Sequence, residues 1–99
     1  MNNKNKFSFE TDIDILVPEY VQARKKEIKQ LIMDFQVGNY TAIANVAIKL
    51  KGNAGSFGFE ELGNLASQLE NSAREKNHRQ TNELLKKMKD LIDQIPIEN

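Results

Sequence analysis

The chain has 99 residues, with 14 basic and 14 acidic side chains and a formal net charge of zero. This length fits one small domain, and the balanced charge lacks the basic excess that is typical of nucleic-acid-binding proteins. The absence of cysteine excludes disulfides and thiolate metal sites. The apolar runs are too short to span a bilayer. We therefore expect a cytoplasmic domain that binds neither nucleic acid nor membrane.

The N-terminal part is predicted to divide into a tail and a short helix. Residues 1–11 are polar apart from Phe7 and Phe9 and predict a flexible tail. The apolar residues that follow predict a short helix beginning near residue 12. Val17 precedes a proline, and a residue in that position disfavours the helical conformation. The short helix is therefore expected to end there.

Four longer amphipathic helices are predicted next, over about 18–36, 40–58 and 59–76, with a last helix that ends before Pro96, because apolar residues recur at spacings of three and four. Pro18 suits a first helical position, and Asn39 and Asn77 suit N-caps. The expected core residues are Val21, Arg24 (by its stem), Ile28, Leu31, Ile32, Phe35, Ile43, Val46, Ala47, Leu50, Ala54, Phe57, Leu62, Leu65, Ala66, Leu69, Ala73, Leu84, Met88, Leu91, Ile92 and Ile95. The predicted fold is an all-α antiparallel four-helix bundle over 12–96, with a short extra N-terminal helix.

One apolar residue of the second helix stands apart from this core. Ile48 lies about 140° around the helix from Ile43. Its neighbours on that side are Ala44, Lys51, Gly52 and Gly55. A glycine in a helix interior costs about 1 kcal/mol relative to alanine, so paired glycines indicate a face that another backbone approaches closely. Alternatively, a loop or the N-terminal tail covers Ile48.

The stretch 48–59 reads Ile-Lys-Leu-Lys-Gly-Asn-Ala-Gly-Ser-Phe-Gly-Phe. It resembles the signature of histidine-containing phosphotransfer (HPt) domains, which runs His-x-Leu-Lys-Gly, small residues, a large apolar residue, Gly and an apolar residue. The Leu69-Glu70 pair, the lead-in 17–20 and the turn 38–40 are also similar to the family. The resemblance covers about residues 12–95. It implies a four-helix phosphorelay domain whose partner is a response-regulator receiver domain or a histidine kinase.

The chain departs from the family pattern at one position. Ile48 stands where the family has its phosphoaccepting histidine, and isoleucine has no nitrogen lone pair with which to form a phosphoramidate. The resemblance implies that Lys51 corresponds to the lysine that offsets phosphoryl charge. It likewise implies that Gly52 leaves space for the receiver domain. Glu70 matches a position that orients the histidine in several family members.

No other residue offers a substitute for the missing histidine. His78 is the only histidine, and it is predicted to lie in the turn before the last helix, away from Ile48. A lone histidine without cysteine lacks the ligand cluster of a metal site. No nucleophile–base pair or carboxylate dyad is evident. We therefore expect no cofactor, no metal and no enzymatic activity.

Three functional hypotheses follow. In the first, the domain is a pseudo-HPt module that docks a receiver domain or kinase without carrying phosphate. Its docking residues would be Ala44, Ile48, Lys51, Gly52 and Gly55, supported by Glu70. In the second, it is a phosphocarrier in which the histidine at position 48 has been replaced. In the third, the bundle self-associates through Ile48. A monomer with at most weak self-association is expected.

Overall fold

In a computed structural model the chain forms four α-helices. The structure describes the backbone of residues 2–95 and the side chains of residues 17–95. The helices are α1 (Asn2–Gln36), α2 (Tyr40–Ser56), α3 (Glu60–Arg74) and α4 (His78–Asp93). The predicted all-α four-helix bundle is confirmed. Among the described residues, no helix combines the length and the apolar character needed to cross a membrane.

The N-terminal part differs from the prediction. Helix α1 runs without interruption through Val17, and Pro18 lies inside it, so the expected break is wrong. Proline removes one helical hydrogen bond, but Tyr20 and Val21, two and three positions after it, are buried in the core and hold the helix in place. The backbone of residues 2–11, which were predicted to be a tail, belongs to α1. The side chains of Phe7 and Phe9 lie outside the described residues, and the flexibility of the tail stays a prediction.

The helices are arranged around a ring. Within the described part of the chain, the backbone of α1 lies next to those of α2 and α4, and the backbone of α3 lies next to the same two, while the backbones of the diagonal pairs stay apart. The closest pairing is between α2 and α3. A Cβ atom added to Gly63 of α3 would lie 3.6 Å from the Cβ atom of Ala54 on α2. Small side chains therefore allow α3 to support α2 from behind at short range.

Most of the predicted core is confirmed. Arg24, Ile32, Phe35, Val46, Phe57, Leu91 and Ile95 are half-buried, and the other predicted core residues are buried. Two polar residues that the pattern did not predict also lie inside. The hydroxyls of Ser72 and Thr81 are 2.9 Å apart and share a hydrogen bond between α3 and α4. Such pairing removes most of the cost of burying them.

The first three helices end in the same kind of turn. Each has one residue in the left-handed conformation just beyond the helix, with φ values of +72° at Gly38, +83° at Gly58 and +54° at Lys76. The next residue donates its backbone N–H to the carbonyl five positions earlier: Asn39 to Asp34, Phe59 to Ala54, and Asn77 to Ser72. This is the Schellman arrangement. It keeps the connections short, so successive helices run antiparallel.

The asparagines after two of these turns begin the next helix. The side-chain oxygens of Asn39 and Asn77 accept hydrogen bonds from the backbone N–H groups of Ala42 and Gln80, each at 3.1 Å. The predicted N-caps are therefore confirmed. The side chain of Gln80 accepts a 3.4 Å bond from the Asn77 amide, where a full capping box would use the backbone.

Candidate functional site

Helix α2 carries one exposed apolar side chain next to two exposed glycines. Ile48 is 39% exposed, and Gly52 and Gly55, one and two turns on, are exposed as well. A Cβ atom at either glycine would meet nothing within 4 Å, and neither has a positive φ. Packing inside the described chain therefore does not require glycine at these two positions. We call Ile48, Lys51, Gly52 and Gly55 the α2 face.

One residue predicted to belong to this surface lies elsewhere. Ala44 is only 6% exposed and belongs to the hydrophobic core. It is one turn before Ile48, but it is turned toward α3, where it lines a cleft together with Ala73. Ala44 therefore supports the face from below and offers little surface to a partner.

A network of charged groups borders the α2 face. The ammonium of Lys51 lies 2.9 Å from Oε1 of Glu70 on α3. Arg74, one turn further along α3, places Nη2 2.9 Å and Nε 3.0 Å from Oε2 of the same carboxylate. Hydrogen bonds from Lys51 and then Arg74 hold the pKa of Glu70 below its ordinary value. Both carboxylate oxygens are therefore occupied.

The sequence prediction included Lys51 and Glu70 but missed Arg74. Two of the predicted residues do come together, since Lys51 and Glu70 form a direct ion pair. Arg74 follows Glu70 by four positions on the same helix, and oppositely charged side chains at that spacing are neighbours. This spacing was the available signal. Arg74 gives Glu70 a cationic partner besides Lys51.

The end of α2 is fixed to α1 by an aromatic cluster. The ring of Tyr20 stacks on Phe57 at a centroid distance of 4.3 Å and on Phe59 at 5.4 Å. Its hydroxyl donates a 2.5 Å hydrogen bond to Oδ1 of Asn53, and the Arg24 guanidinium lies 4.5 Å from the ring centroid. Burial raises the pKa of Tyr20. The cluster therefore holds the α2 face at a fixed position on the bundle.

His78 belongs to another part of the bundle. It is the first residue of α4, it is exposed, and its ring lies 4.7 Å from that of Phe35 at the end of α1. Phe35 also contacts Tyr40, the first residue of α2, and Ile48 lies about 12 Å further along that helix at 1.5 Å per residue. Among the described residues, no group of three potential ligands that could hold a metal ion is found.

Comparison with protein families agrees with this architecture. The family model of the Hpt domain matches residues 16–96, so the chain belongs to the Hpt domain family. No curated protein and no solved structure matches the chain. The family places the chain in phosphorelay signalling. Hpt domains are phosphocarriers, not catalysts, and they interact with response regulators or kinases.

Proposed function

We propose that this protein is a pseudo-HPt module, which docks a receiver domain or a histidine kinase through the α2 face without carrying phosphate. The observation that carries the proposal is Ile48. An aliphatic side chain, 39% exposed, stands where the family resemblance places the phosphoaccepting histidine. A hydrocarbon side chain has no lone pair to accept a phosphoryl group, so docking is the property that the position can retain.

The surroundings of Ile48 support docking. Gly52 and Gly55 leave an open floor next to it, and each costs the helix about 1 kcal/mol relative to alanine. No contact inside the described chain offsets that cost. A partner that approaches closely and covers Ile48 would explain both glycines. An exposed apolar residue on such a floor is also the kind of anchor that carries binding energy once it is desolvated.

The charged network supports a role that does not involve phosphate. Glu70 would orient a histidine if one were present, but its carboxylate is bound by Lys51 and Arg74. The Lys51 ammonium is therefore paired with a surface carboxylate of the same chain. Because both groups are paired, the border of the α2 face keeps a defined shape for a partner.

The proposal is tested by calorimetric titration of the protein against the receiver domains and kinases of the same organism. We expect at least one to bind, and Ile48→Asp to abolish that binding, since a carboxylate replaces the apolar anchor. The matched control is Met33→Asp, which introduces the same charge at another exposed apolar residue, 57% exposed on α1. Absence of any binding partner, or equal binding by Ile48→Asp, would contradict the proposal.

Phosphorylation assays distinguish this proposal from a phosphocarrier whose histidine has been replaced. The unmodified chain should acquire no acid-labile, base-stable label from a phosphorylated receiver. Ile48→His restores the imidazole next to Lys51. Rapid labelling of that variant by a receiver that also binds the unmodified protein would favour the replaced-histidine alternative.

A further inference from the structure

A polar cleft lies next to the α2 face, between the first turns of α2 and the end of α3. Its volume is about 260 Å³. Alanine side chains form its floor, and uncharged polar groups and two cations form its walls. The lining residues are Tyr40, Thr41, Ala44, Asn45, Ala73, Arg74 and Lys76. No carboxylate is among them. Asn45 is exposed and lies one turn before Ile48 on α2, so the cleft borders the α2 face.

The two cations of the cleft are not fully neutralised. Arg74 uses Nε and Nη2 for Glu70, and its Nη1 makes no hydrogen bond or ion pair within the described residues. Lys76 forms no ion pair in that part of the chain and is exposed. Glu70, which lies outside the lining, is the one carboxylate paired with Arg74 within the described residues. The lining of the cleft therefore carries positive charge although the whole chain is neutral.

Lys76 occupies a position where the backbone favours another residue. Its φ of +54° is left-handed, a conformation that is sterically unfavourable for a residue with a Cβ atom. The equivalent turns after α1 and α2 have glycine. The helix dipole favours a cation at the C-terminal end of α3, but by less than the steric cost of the left-handed conformation. A backbone outlier that stability does not explain points to a role for its side chain, and this side chain lines the cleft.

We propose that the cleft binds a carboxylate side chain of the protein that docks on the α2 face. This inference rests on the proposed function and adds the chemistry of a second contact. Arg74 and Lys76 would pair with the carboxylate, and Thr41 and Asn45 would donate hydrogen bonds from the opposite wall. Charge complementarity selects an acidic residue in the partner. Because the cleft lies to one side of Ile48, the contact also fixes the partner's orientation.

The first test uses Lys76→Gly. This substitution removes the cation and relieves the left-handed strain, so the variant stays folded. In titration against a receiver or kinase that binds the unmodified protein, we expect affinity to fall about threefold to fivefold, the upper part of the range for one exposed ion pair. The salt dependence of binding should become weaker. Lys76→Arg and Lys87→Gln serve as controls. The first keeps the charge, and the second removes an exposed cation of α4, and both should bind within about 1.5-fold of the unmodified protein.

The second test does not need a natural partner. The ¹⁵N-labelled protein is titrated with N-acetyl-aspartate, which carries carboxylate groups as the probe. We expect amide shifts concentrated at Thr41, Asn45 and residues 73–76, weaker in Lys76→Gly at the same probe concentration and retained in Lys87→Gln. Shifts that spread over the whole surface, or that are unchanged in Lys76→Gly, would contradict the proposal that the cleft binds a carboxylate. The proposal would also be contradicted if Lys76→Gly bound the partner protein as tightly as the unmodified protein does. If no receiver or kinase binds, the proposed function fails, and this titration alone decides the carboxylate site.

Discussion

The glycines at the helix ends and those on the exposed side of α2 do different things. Gly38 and Gly58 have positive φ values of +72° and +83°, which glycine adopts without steric cost. Gly52 and Gly55 lie inside α2, with ordinary helical geometry and open space where a side chain would be. The first pair is explained by the fold of the chain itself. The second pair weakens the fold, and the docking proposed above would explain why it is present.

The largest effect on stability is expected from replacing Gly58, a glycine at a helix end. A Cβ atom at this residue would meet nothing within 4 Å, so Gly58→Ala tests the backbone conformation alone. We expect the free energy of unfolding to fall by about 1–2 kcal/mol. Urea denaturation measures the change, and near-UV circular dichroism should report whether Tyr20 still stacks on Phe57 and Phe59. An unchanged denaturation midpoint would show that the turn does not need a left-handed residue.

On the α2 face, replacing glycine by alanine should raise the free energy of unfolding instead of lowering it. Gly52→Ala and Gly55→Ala are each expected to stabilise the protein by about 0.5–1 kcal/mol, because alanine is the better helix former. Docking of a receiver or kinase should weaken in both variants, since the new methyl groups obstruct the approach. Denaturation and calorimetric titration on the same samples separate the two effects.

The control for this pair reverses the substitution at a distant site. Ala23 is exposed on α1, so Ala23→Gly should destabilise the protein by about 0.5–1 kcal/mol and leave docking unchanged. Stabilised glycine variants that dock as well as the unmodified protein would contradict the assignment of the α2 face to a partner.

The third helix end permits a smaller test. Lys76 has the same left-handed turn without glycine, so Lys76→Gly should stabilise the protein. Relief of about 1–2 kcal/mol of steric cost is partly offset by the greater freedom of glycine in the unfolded chain. The net gain should be about 0.5 kcal/mol, seen as a rise of a few degrees in the melting temperature. Lys76→Ala keeps the Cβ atom and should show no gain.

The fold could be predicted in large part because its determinants are local. A window of a few residues is enough to identify each of three signals: the spacing of apolar residues, the glycines after α1 and α2, and the asparagine caps. Pro18 was misleading because a local preference at Val17 gives way to the burial of Tyr20 and Val21. A left-handed Lys76 has no local signature, since lysine does not favour that conformation.

The candidate site was less predictable for a similar reason. The exposed position of Ile48 followed from helical geometry alone. Ala44 was assigned to the same side, but the close approach of α3 buries it. The cleft beside it depends on how the ends of α2 and α3 meet, and this depends on tertiary packing. Arg74 could have been found from its spacing to Glu70, whereas its place in the cleft could not.

The smallest expected effect concerns the ion network that borders the α2 face. Lys51 and Arg74 lower the pKa of Glu70 in the folded protein, while the unfolded chain has the ordinary value. The network's contribution to stability is therefore present above the ordinary glutamate pKa and is lost as the pH falls through the lowered one. Urea denaturation of the unmodified protein and of Glu70→Gln should differ by a constant amount at neutral and mildly acidic pH.

Below the ordinary glutamate pKa this difference in unfolding free energy should shrink. Protonation of Glu70 removes its negative charge and hence its ion pairs, which the Glu70→Gln variant lacks at every pH. Added salt should reduce it as well, since the pair is close to solvent. Glu61→Gln is the control, because Glu61 is exposed and forms no ion pair within the described residues. A difference that persists unchanged into strong acid would mean that Glu70 acts through packing, and the two cations beside it would then be available to a partner.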